Sequence, residues 1–255
     1  SMGTSISDAI AKAMKIHYFA IHVVAKDLDV TFNETYTLRL SSNPDSLARD
    51  MLLAYPLISG HLAVGQIQAT NRTHILTVVT EPRRRLIKLF AHHGSAGLCF
   101  SDWLSDRVNL QSDIIDFLAQ GGAWPPSGVY QELHSQSYRE PTSPTWHYGS
   151  KLVETIVSPI DFIFFASNPQ FVLDTLYHEQ VLPQQVQCEH HNSRDPFRRV
   201  DWGDLTAASA VLKHVTLNDY KFIDHMRSRA KVDPQFEIWD DDKTYQFLVE
   251  TAGTS

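Results

Sequence analysis

The densest set of residues able to do chemistry runs His92-His93-Gly94-Ser95-Ala96-Gly97-Leu98-Cys99-Phe100-Ser101-Asp102-Trp103-Leu104. Small residues lead into Cys99 at the expected start of a helix, about 98–105, whose apolar face carries Phe100, Trp103 and Leu104. Free N–H groups at a helix start favour a thiolate over a thiol, as a sulfur nucleophile requires. Such a nucleophile needs a base, and the base needs a group that orients it. His147 precedes an apolar stretch, Lys151 to Val157, read as a strand. Asp161 follows near the start of a second apolar strand, Ile160 to Phe165. Two adjacent antiparallel strands would bring that pair together. The chemistry implied is that of a thiol-dependent hydrolase or acyl-transfer enzyme. Cys99 would attack, His147 would act as general base and Asp161 would orient the imidazole, with the Cys99 N–H contributing to an oxyanion hole.

The order Cys99, His147, Asp161 is similar to that of papain-like and transglutaminase-like enzymes, over three short segments only. The sequence departs from the papain-like pattern directly after the nucleophile, where Phe100 replaces the usual tryptophan or alanine. Pro159 interrupts the strand pair, and no upstream glutamine offers itself as an oxyanion donor. The competing reading makes Cys99 a small buried apolar residue, the common state of a lone cysteine.

Thirteen histidines draw attention to metal binding, and Cys188-Glu189-His190-His191, with His178 and Asp195, is locally dense. Cys188 and His190 would share one face of a strand, but the spacing matches no finger, ribbon or His-Glu-x-x-His pattern. An exposed polar loop is the preferred reading, and no metal is expected. Gly97 stands where a His-His-x-x-x-Asp acyltransferase needs aspartate. Of the two His-x-Thr/Ser strands that a two-histidine phosphoesterase requires, only His214-Val215-Thr216 occurs. Phosphate loops and dinucleotide fingerprints are absent, so no cofactor is expected. Arg83-Arg84-Arg85, with Lys88, reads as the solvated face of a helix.

A different function is open to the 123–148 segment, where Trp124-Pro125-Pro126 and the stretch from Tyr138 to Tyr148 offer aromatic side chains. These suit a non-catalytic module that binds a protein partner. The net charge of −7, from 22 basic and 29 acidic side chains, argues against a nucleic-acid partner. No apolar run approaches the ~20 residues needed to span a bilayer, so no membrane role is expected. Two widely spaced cysteines argue for a reducing, cytoplasmic or otherwise intracellular location. Ser1-Met2-Gly3 reads as a cloning remnant, and the residues after it show no signal-peptide pattern.

The elements that must position these residues follow from periodicity. Residues 16–24 and 30–40 read as two strands of a hairpin, and 235–239 with 244–249 as another around Asp240-Asp241-Asp242-Lys243. Strands are also expected at 61–69, 74–80 and 184–190. Asn43-Pro44, Glu81-Pro82 and Asn168-Pro169 are capping signals that start helices. Further helices are expected near 111–120, 204–214 and from 216, the last with Tyr220, Ile223 and Met226 on one side. The layout reads as α+β, a mixed or mainly antiparallel sheet of hairpins packed with several helices. Residues 4–255 form one unit, with a division into two subdomains at the irregular, proline-rich 123–146 as the alternative.

Overall fold

The computed structural model describes residues 2–16, 18–24, 27–32, 37–40, 56–60, 74–93, 98–105, 114–115, 118, 150–189 and 200–253. Within them the elements are α1 (Met2–Met14), β1 (Tyr18–Val24), β2 (Asp27–Phe32), β3 (Thr37–Leu40), β4 (Leu57–Gly60), β5 (Leu76–Val79), α2 (Pro82–His93), α3 (Phe100–Ser105), α4 (Ser150–Val157), β6 (Phe162–Phe165), α5 (Pro169–His178), α6 (Leu205–Val215), α7 (Leu217–Met226), β7 (Lys231–Val232) and α8 (Asp241–Gly253).

Phe162-Ile163-Phe164-Phe165 is apolar at every position, which suits a strand covered on both faces. It forms the centre of a sheet ordered β5-β6-β7, with both pairings parallel. Side chains alternate across this sheet. Leu76, Val78, Phe162 and Phe164 point towards Ile6, Ile10 and Ala13 of α1 and Val172, Leu173 and Leu176 of α5. Val79, Ile163 and Phe165 point the other way, towards Val153, Ile156 and Val157 of α4 and Phe222, Ile223 and Met226 of α7. A third cluster packs α2, α3, α6 and α8 around Phe90, Phe100, Trp202, Leu212 and Leu248.

The expected mixed or mainly antiparallel sheet of hairpins is therefore overturned. The sheet carrying the core is all-parallel, within a helix-rich α+β chain. Among the described residues, antiparallel ladders occur only in the other sheet, ordered β3-β2-β1-β4, where β4 joins β1 in parallel. There residues 19–21 pair with 30–32, as expected of the hairpin. The second arm nevertheless begins at Asp27, and Thr37–Leu40 folds back onto it as a separate strand.

Two further strands turn out to be helices, for physical reasons. In 150–157 the buried residues are Val153, Ile156 and Val157, the i, i+3, i+4 spacing of a helix, although their β-branched side chains favour strands. In 241–253, Thr244 and Leu248 are buried one turn apart. Asp240 is not a hairpin turn; its carboxylate accepts the Lys243 N–H at 2.8 Å, and Asp241 and Asp242 stand in the first helical turn. The expected strand at 184–190 is an irregular strap over 181–189. The Gln170 amide takes the place of a neighbouring strand, accepting the Cys188 N–H and donating to the Val186 carbonyl, both at 2.9 Å or less.

The capping signals at Glu81-Pro82 and Asn168-Pro169 do start helices, as expected. Asn168 accepts the Gln170 N–H, and Asp204 accepts those of Thr206 and Ala207. The helix after Asn43, the strand at 61–69 and the division at 123–146 lie outside the described residues.

Candidate active site

Cys99 occupies the position just before α3, and its carbonyl accepts the Trp103 N–H at 3.0 Å. Phe100 starts the helix because its ring is buried against Phe90 and Trp202 and its N–H is held by the Asp201 carbonyl. The Phe100 side chain thus anchors the turn, and Cys99 is left half-buried at the edge of the cluster. Its Sγ lies 3.1 Å from the Ser101 Oγ, a contact in which either group can donate. Gly203 closes the other side. Its φ of +58° is left-handed, and a Cβ there would come within 3.0 Å of the sulfur. A glycine suits this position for both reasons. At six residues α3 is too short for the dipole effect that the sequence invited.

Asp161 sits at the amino end of β6. Its Oδ2 accepts the Ile75 N–H at 2.7 Å, while the Ile75 carbonyl accepts the Asp161 N–H at 2.8 Å. This reciprocal pair fastens the entry of β5 to that of β6. The strand on which His147 was expected to lean is helix α4, so the pair of antiparallel strands invoked to align His147 with Asp161 does not exist. His147 itself, like the 123–148 segment, lies outside the described residues.

Cys188 is tied to α5 through its backbone, and its thiol is pushed up by burial and then by the nearby Asp8 and Glu189 carboxylates. Among the described residues no group of three or more His, Cys, Asp and Glu side chains is placed to hold a metal ion. No helix among them is long and apolar enough to cross a membrane. A cavity of about 430 Å³ opens beside the end of α5, lined by Tyr177, His178, Gln180, Leu182 and Pro183 and by neither Cys99 nor Asp161.

The polar cluster that the sequence concealed lies where β5 runs into α2. Arg83, expected on a solvated face, is buried there. It donates to Asp241 Oδ1 at 3.0 Å and to Thr244 Oγ1 at 2.9 Å, and stacks over the Tyr220 ring at 5.3 Å. The Tyr220 hydroxyl donates to Glu81, whose other oxygen accepts the Arg84 N–H at 2.6 Å. Glu81 is 1% exposed. Burial raises its proton affinity, against the opposing effect of the Tyr220 and backbone donors and of Arg83. Burial and the facing Glu81 carboxylate push the Tyr220 hydroxyl up as well. Glu81-Pro82 was legible as a helix start. Its burial was not, because the residues that cover it come from α7.

No protein-family model matches the chain, and neither the curated proteins nor the solved structures include a similar one.

Proposed function

We propose that the chain is a thiol-dependent hydrolase or acyl-transfer enzyme with Cys99 as its nucleophile, His147 as general base and Asp161 as the group that orients His147. The supporting observation is the setting of Cys99. It is half-exposed on a turn fixed by Phe100, with a hydroxyl 3.1 Å from the sulfur. The Ser101 hydroxyl is placed to donate to that sulfur. Asp161 is exposed, and one of its oxygens is held by a backbone N–H, as an orienting carboxylate requires.

The other cysteine supplies the internal control. Burial and two carboxylates disfavour the Cys188 thiolate, so iodoacetamide at neutral pH should label Cys99 first. Peptide mass spectrometry over a time course reads both rates in one sample. His147→Ala should slow labelling of Cys99 and leave that of Cys188 unchanged, and Asp161→Asn should do the same more weakly. Equal rates at the two cysteines, or a Cys99 rate indifferent to His147, would remove the proposal.

A further inference from the structure

We draw no further inference here: the strongest candidate, the cavity of about 430 Å³ beside the end of α5 lined by Tyr177, His178, Gln180, Leu182 and Pro183, carries none because nothing in the structure shows what fills it.

Discussion

Replacing Tyr220 by phenylalanine deletes one oxygen from the buried cluster and little else. The ring that Arg83 stacks on remains, so the cation–π contact survives. What disappears is the hydrogen bond to Glu81, and Glu81 is 1% exposed, so water does not replace the donor. A hydrogen bond to a neutral group contributes about 0.5–1.5 kcal/mol and one to a charged group about 1.5–3 kcal/mol. The cost must therefore depend on whether Glu81 is ionised. Its folded-state proton affinity is above the ordinary carboxyl value, and Tyr220 is one of the groups holding it down. An acid with a raised folded value contributes stability that is present at low pH and is lost as pH climbs through that value. Removing Tyr220 raises the value further, so the variant loses more than the native chain as pH increases. The expected loss is about 1 kcal/mol while Glu81 is protonated, at the low-pH end of a titration series, and about 2 kcal/mol once it is ionised, at the high-pH end. Urea unfolding followed by tryptophan fluorescence measures this. With a slope of about 3 kcal/mol per molar urea, 2 kcal/mol moves the midpoint by about 0.7 M. No loss at either pH would mean that Tyr220 does not hold Glu81, and an equal loss at both would mean that Glu81 does not change charge between them.

Two further outcomes test the local geometry. Asp204→Ala removes the side chain that accepts the Thr206 and Ala207 N–H groups at the start of α6, and should cost about 0.5–2 kcal/mol in urea unfolding. Gly203→Ala puts a methyl group 3.0 Å from the Cys99 sulfur on a left-handed backbone. It should cost about 1–2 kcal/mol and alter the rate at which iodoacetamide labels Cys99, whereas an unchanged rate would separate Gly203 from the thiol.

What was legible in the sequence is what local chemistry decides. Asn168-Pro169 and Asp204 announce helix starts because a short polar side chain caps N–H groups wherever the chain goes. Phe162–Phe165 reads as a strand because four successive apolar residues need cover on both faces. Local signals mislead where two of them disagree. Val153, Ile156 and Val157 are β-branched yet spaced for a helix, and burial against the parallel sheet made the spacing prevail. Asp240-Asp241-Asp242 suits a turn as well as a helix start, and Arg83, 158 residues before Asp241, decides between them. In α1 the buried Ile6, Ala9, Ile10 and Ala13 have helical spacing, but two of the four are alanines and mark the face weakly. At the candidate site, the sequence found Cys99 and its turn, but the contact with Gly203 comes from a distant segment and has no local signal.

The carboxyl ends of β5, β6 and β7 give this fold a further logic. Each leads to a polar residue followed by proline: Glu81-Pro82, Asn168-Pro169 and Asp233-Pro234. That edge is where open parallel sheets usually bind ligands. Here the polar groups are engaged with the chain's own backbone. Asp233 Oδ2 accepts the N–H groups of Ser167 and Asn168 and its Oδ1 that of Gln235, while its own N–H goes to the Phe165 carbonyl. Glu81 is closed over by Tyr220, and Asn168 is spent on α5. Proline fits each position because it removes an N–H where a helix or turn begins and donors already outnumber acceptors. These contacts tie the three strand ends to the helices that follow, and they leave the carboxylates there little capacity to bind a substrate. Cys99 has the opposite character, with its backbone fixed by Phe100 and its sulfur at the edge of the core. Substitutions at Asp233 should therefore change stability without changing the labelling of Cys99.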